Sequence, residues 1–185
     1  MSNIFVTSDN HYFHKNIMKF CPQTRPFTDI GDMTEKMILA HNRVVRPEDD
    51  VYFLGDFSFG NATQTRDVIH RLNGRLHLVY GNHDRVIECN HDIQKLFTSV
   101  QDYKFLKVGD KELAMFHYPI DGEWRNSHRG SYHIHGHLHN STPLHQQKYR
   151  RMDVGIDTRI GTHAPYEISE VFDLLKNKEI FKHHA

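Results

Sequence analysis

The sequence predicts a layered α/β protein with two packed sheets, organised as one domain over residues 1–185. Three observations predict it. The first half alternates short apolar runs with amphipathic stretches of helix length. The second half is mostly strand-like, with turns such as Gly109-Asp110 between the runs. No internal repeat, low-complexity tract or Pro/Gly-rich linker divides the chain, and its length suits one core.

The elements follow in order. Residues 3–8 read as a buried strand, with Ile4, Phe5 and Val6 between polar residues. A short helix within 11–20 is ended by Cys21-Pro22, and a loop with Arg25, Pro26 and Gly31 follows. Over 33–46, Met33, Met37, Ile38, His41, Val44 and Val45 recur on one helical face. Asp32 with Glu35 predicts the start of that helix, and Pro47 its end. A strand over 51–54 leads to a helix opened by Gly60-Asn61, with Val68, Ile69 and Leu72 inward and Gly74 as its C-terminal cap. Strand 76–80 comes next, then a helical or irregular stretch over 85–99. Strands are expected over 103–108, 112–117, 131–135 and 148–156. A last helix over about 167–177 turns Ile168, Val171, Phe172 and Leu175 inward.

Lys plus Arg equals Asp plus Glu, 23 each, so the formal net charge is zero. Proteins that grip long nucleic acid through its phosphates usually carry a basic excess, so a long polymer partner has no support here. Cys21 and Cys89 read as reduced thiols of a cytoplasmic protein. The N-terminus lacks the basic start of a signal peptide, and no run reaches membrane-spanning length. Histidine is the outlier, at 17 residues. The terminal His183-His184-Ala185 is too short for a purification tag, so the enrichment is internal and points to metal.

Five apolar runs each end in residues of metal-ligand type: Asp9-Asn10-His11, Gly55-Asp56, Gly81-Asn82-His83-Asp84, His117 and Gly136-His137-Leu138-His139. In α/β sheets the carboxyl ends of strands are where sites gather. Asp9 and His11, two apart, share a face if extended. The candidate ligands are Asp9, His11, Asp56, Asn82, His117, His137 and His139, an oxygen and imidazole set without thiolate. Such a set suits Mn, Fe, Ni or Zn. Asp56 is placed to bridge two ions. Two divalent ions outweigh the two aspartates and a shared hydroxide, so the pocket stays positive and suits phosphate. His83 is the candidate general acid, with Asp84 to orient its ring.

In their full order these blocks resemble the calcineurin-like metallophosphoesterase superfamily: Asp-x-His, Gly-Asp, Gly-Asn-His-Asp/Glu, a single His, then Gly-His-x-His. His14, Asn16 and Ile17, Arg25-Pro26-Phe27, and the VYFLGDFSFG and MDVGID stretches further resemble a compact stand-alone microbial (bacterial or phage) branch. The resemblance implies a four-layer α/β/β/α sandwich of two mixed sheets flanked by helices. It implies two divalent cations, manganese foremost. One would take Asp9, His11, Asp56 and His139, the other Asp56, Asn82, His117 and His137. It also implies hydrolysis of a phosphomonoester or phosphodiester by a metal-bridging hydroxide, with His83 facing the leaving group.

The expected substrate is a small phosphoester or nucleotide. A nuclease for short RNA or DNA and a non-catalytic binding module are the competing readings. His14 reads either as a substrate contact or as a surface histidine, and Arg85 as a phosphate contact. His133 and His135 read as buried, hydrogen-bonded strand histidines. His41, His70 and His77 read as packing or surface residues, and Arg125 and Arg129 as surface arginines. Trp124 reads as a base-stacking residue or a loop cover.

Overall fold

The computed structural model describes residues 2–182, so His183 and His184 lie outside the described residues. The chain runs β1 (Ile4–Thr7), α1 (Ile17–Phe20), α2 (Ile30–Val44), β2 (Asp50–Phe53), α3 (Ala62–Arg71), β3 (Arg75–Val79), α4 (Arg85–Glu88), α5 (His91–Gln94) and β4 (Ser99–Gln101). It continues through β5 (Tyr103–Val108), β6 (Lys111–Phe116), β7 (Tyr132–His135), β8 (Arg151–Asp153), β9 (Tyr166–Glu167) and α6 (Ile168–Leu175). Strands β4-β3-β2-β1-β9 form one sheet and β5-β6-β7-β8 a second. Both are mixed. In the first, β9 alone runs antiparallel to its neighbour; in the second, β5 and β6 pair antiparallel and the rest are parallel.

Alternation along the strands builds two cores. Phe5, Val51, Phe53, Leu76 and Leu78 turn toward α2 and α3, whose Met33, Met37, Val68 and Ile69 they meet. The intervening Val6, Tyr52, Leu54 and Val79 turn the other way, toward Leu113, Met115, Ile134 and Met152 of the second sheet. Helix α6 adds Ile168, Val171, Phe172 and Leu175 to that inter-sheet core. On β7, His133 and His135 are fully buried. His133 donates to Ala114 O and accepts Ile120 N–H, and His135 pairs with Gln147. Trp124 is buried over His133 and donates to Ser131, so it covers a loop.

Some expectations change. Helix α2 begins at Ile30, and its cap is Asp29, whose side chain accepts Asp32 N–H at 2.9 Å. Asp32 sits in the first turn and accepts from Thr28 and Lys36 instead. Val44 is exposed, because the chain turns at the extended Val45, which takes the inward position. Helix α3 is capped by Asn61 with Gln64 in a reciprocal box, but it ends at Arg71. Gly74 (φ 100°) instead carries the tight turn into β3. Strands β4 and β9 are too short to show alternation in the sequence. Among the described residues, no helix is long and apolar enough to cross a membrane. Cys21 and Cys89 are free thiols.

Candidate metal centre

The parallel pairing of β1 and β2 outlasts the strands. Leu54 N–H donates to Thr7 O, Asp9 to Gly55 O, His11 to Asp56 O and Tyr12 to Phe57 O, all at 2.8–3.0 Å. Two loops therefore run side by side, and Asp9, His11 and Asp56 come together. The backbone there is not extended: Asp9 (φ 56°), His11 (50°), Asp56 (54°), His137 (70°) and His139 (47°) all lie in the left-handed region. Side chains rarely adopt it, at a cost of roughly 1–3 kcal/mol each, and such residues concentrate at functional sites. The shared face expected for Asp9 and His11 on an extended strand is thus replaced by two left-handed turns. Gly136 allows a close approach: a Cβ there would fall onto Ser8 Oγ and Asp9 Oδ2.

Six candidate ligands are brought within 4 Å of at least one other. His11 Nε2 is 3.9 Å from Asp9 Oδ1 and 3.5 Å from Asp56 Oδ2. His117 Nε2 is 3.7 Å from the same Asp56 Oδ2 and 3.1 Å from Asn82 Oδ1. His139 Nε2 is 3.8 Å from Asp9 Oδ1. Asp56 Oδ2 thus lies between two imidazoles from different loops. The tautomers follow from the other ring nitrogen: His117 Nδ1 donates to Leu54 O at 2.7 Å, and His139 Nδ1 meets Asp157 Oδ2 at 2.7 Å. Both leave Nε2 facing the carboxylates. His137 is more exposed and packs on His117 and Tyr118, while its backbone N–H donates to both oxygens of Asp9. Asn82 is exposed and reaches the cluster through His117.

The residues fit divalent cations by their chemistry. Both ring nitrogens of His11 are buried without a hydrogen-bond partner among the described residues. Nε2, the nitrogen that faces Asp9 and Asp56, is placed to ligate a cation rather than to make a hydrogen bond. Ligand atoms of Asp9, His11 and His139 lie within 4.8 Å of one another, as do those of Asp9, Asp56 and His117. A third group, Cys21, His139 and Asp157, is equally close, but its carboxylate and imidazole are already bonded to each other. Burial, then Asp153, pushes the Asp9 carboxyl well above the usual range. Burial lowers His11 and His117, which keeps these rings neutral as ligation requires.

A buried ion pair supports the cluster from behind. Arg25 is 1% exposed, and its guanidinium forks onto Asp157 through Nε (2.9 Å) and Nη2 (2.8 Å). The same guanidinium donates to Asn10 O at 2.9 Å and Asp9 O at 2.5 Å. It therefore fixes the Asp9 turn and, through Asp157, the ring of His139. Burial opposes the ionised form of Asp157, yet His139 and Arg25 hold it well below the usual carboxylate range. Burial likewise opposes the protonated form of His139, but hydrogen bonds to Asp157 and Cys21, with Asp9 nearby, lift the ring to about 10, so the cation-free ring is protonated and would give up its Nε2 proton on ligating a cation.

The remaining candidates separate. His83 is exposed at the rim, its ring 5.9 Å from His11 and 4.8 Å from Phe59. Its backbone N–H donates to Asp56 Oδ1 at 2.9 Å. Asp84 does not orient that ring. It is fully buried, and its oxygens accept the backbone N–H groups of Asp56, Phe57 and Gly81 at 2.8–2.9 Å. It ties the Asp56 loop to the Gly81 loop, and burial pushes its carboxyl up to about 7 against those three donors. His14 stacks on Phe59 at 3.9 Å, beside His11. Arg85 is exposed at the start of α4, and its side chain makes no hydrogen bond or ion pair among the described residues.

A family model described as the calcineurin-like phosphoesterase superfamily domain matches residues 3–171. The uncharacterized protein MJ1445 of Methanocaldococcus jannaschii is 30% identical, over 98% of this chain and 96% of that protein. The Gene 66 protein of Mycobacterium phage L5 is 31% identical, over 85% and 87%. The crystal structure of AQ665 from Aquifex aeolicus, a protein of unknown function, superimposes with a TM-score of 0.74. At 23% identity over 95% of this chain and 100% of that one, the likeness speaks for the fold.

Proposed function

The chain belongs to the calcineurin-like phosphoesterase superfamily, and from that premise we propose that it is a phosphohydrolase working with two divalent cations, manganese foremost. The observation that carries the reading is the position of Asp56 Oδ2, 3.5 Å from His11 Nε2 and 3.7 Å from His117 Nε2. A carboxylate so placed would be within reach of two cations at once. Asp9, His11 and His139 would complete one site; Asn82, His117 and His137 would complete the other. The cations would supply an activated water and neutralise the charge of a bound phosphate.

The chain's own residues divide the remaining work. Asp84 and Arg25 hold the loops, and Asp157 and Leu54 O fix two imidazole tautomers. His83 stands at the rim, where it can give a proton to a leaving oxygen. The substrate is a small phosphoester, with nucleotides in the class. A protein with no net charge offers no diffuse attraction to a polymer. The two free thiols support a cytoplasmic location for it.

The test uses metal-stripped protein on p-nitrophenyl and bis-p-nitrophenyl phosphate, with and without Mn²⁺. Cleavage should depend on the added cation. Asp56→Asn should lose both activity and at least one bound cation. His83→Ala should keep both cations and lose rate by roughly 10²–10⁴-fold. Folded protein that cleaves neither ester with any of Mn²⁺, Fe²⁺, Ni²⁺ or Zn²⁺ would overturn the proposal. Full activity of His83→Ala would remove the acid role alone.

A further inference from the structure

Phe20 is the most exposed large apolar side chain among the described residues, at 70%. It ends α1 and, with Pro22, Gln23 and Thr24, bounds an open cleft of about 330 Å³ that also reaches His139 and Asn140. His139 thus belongs to both the ligand cluster and the cleft. Four aromatic side chains are exposed among the described residues: Phe20, Phe59, Tyr103 and Tyr118. Three of them touch site histidines. Phe20 meets His14 edge-on, Phe59 stacks on His14 and reaches His11 and His83, and Tyr118 packs on His117 and His137. Exposed aromatic surface is therefore gathered at the ligand edge.

The cleft's chemistry narrows its occupant. Phe20 and Pro22 give flat apolar surface. Gln23 and Asn140 give two carboxamides whose side chains hold no hydrogen-bond partner among the described residues. A carboxamide presents a donor and an acceptor side by side, the pattern a nucleobase edge displays. An aromatic face beside it provides stacking, which every base can use. A sugar phosphate would leave the Phe20 ring without a partner, and a lipid chain would strand the two amides.

We propose that this cleft is a nucleobase subsite. The phosphate of a nucleotide sits at the ligand cluster, its base lies against Phe20, and Gln23 and Asn140 bond the base edge. The assignment rests on the phosphohydrolase reading and adds the class of substrate.

The test compares two esters on the Mn²⁺-loaded full chain: thymidine 5′-(p-nitrophenyl phosphate) and methyl p-nitrophenyl phosphate. They share leaving group and charge and differ by the nucleoside. The nucleoside ester should show a KM lower by roughly 5- to 100-fold. Phe20→Ala should collapse that ratio toward one, and Phe20→Trp should restore it. The exposure of Phe20 predicts that both variants fold, checked by their melting midpoints. Calorimetric titration with thymidine 5′-monophosphate, methyl phosphate and phenyl phosphate gives a readout without turnover. Tighter binding of the nucleotide than of both others, lost in Phe20→Ala, supports the subsite. Equal KM values for the two esters, or phenyl phosphate binding as tightly as the nucleotide, overturns it. If neither ester turns over but binding still favours the nucleotide, the subsite stands, and the hydrolase reading is decided by the p-nitrophenyl phosphate and metal series above.

Discussion

Replacing Arg25 by Met tests the claim that one buried guanidinium holds both the Asp9 turn and the His139 ring. Met keeps an unbranched apolar stem and removes four hydrogen bonds, two to Asp157 and one each to Asn10 O and Asp9 O. Breaking a buried ion pair by deleting one partner costs about 3–5 kcal/mol, because the other charge stays buried, and the lower end applies here since Asp157 keeps Thr24 and His139. The two abandoned carbonyls add about 1 kcal/mol each. The expected loss is on the order of 5 kcal/mol, which for a domain of this size lowers the melting midpoint by roughly 10–20 °C. The assay is urea and thermal unfolding in chelator, followed by circular dichroism. Arg25→Met with Asp157→Leu removes the stranded charge and should recover at least about 2 kcal/mol relative to Arg25→Met alone. Calorimetric Mn²⁺ titration of the folded single variant should show affinity weakened roughly 10- to 100-fold. A single variant within about 1 kcal/mol of the parent, or additive losses in the double variant, would refute the reasoning.

Two further predictions follow from burial and close approach. Gly136→Ala forces a Cβ onto Ser8 Oγ and Asp9 Oδ2 and should abolish tight Mn²⁺ binding, read by calorimetry and by metal content after dialysis. Retained stoichiometry would show that the loop can give way. His41 and His133 are lowered by burial from 6.5 to about 4 and about 3. The folded state therefore binds fewer protons than the unfolded state below pH 6.5. Stability present above 6.5 should fall as pH drops toward 4 and then 3, by up to about 3 kcal/mol from His41 alone. Measured in chelator at pH 7.5, 5.5 and 4.5, the urea midpoint of the parent should fall relative to that of His41→Gln, a difference that cancels the opposing rise from the raised Asp9 and Asp84 carboxyls, and a constant difference would contradict it.

The sequence made the ligands legible because their chemistry stands at strand ends, where apolar runs stop abruptly. It also made the two cores legible, since Phe5 against Val6 and Phe53 against Tyr52 and Leu54 follow strand alternation. What it hid is mostly long-range. Arg25 and Asp157 are 132 residues apart, and nothing local marks either as buried. Both fall in stretches noted only as branch markers, Arg-Pro-Phe and MDVGID. Asp84 was legible as part of a motif, but its role was not. Adjacency in sequence pointed it at His83, while the βα turn sends its side chain to three backbone N–H groups. The cap of α2 moved for a similar reason: two aspartates three apart, Asp29 and Asp32, both suit a helix start.

The ligand cluster also draws on both sheets. Asp9, Asp56 and Asn82 follow strands of the first, and His117, His137 and His139 follow strands of the second. The edge is therefore a seam, already basted by His117 Nδ1 on Leu54 O and by His137 N–H on Asp9. A cation held by Asp56 and His117 would rivet the two halves of the sandwich together. Its removal should speed unfolding more than it slows refolding, the behaviour expected of a contact between two sheets that is absent from the folding transition state.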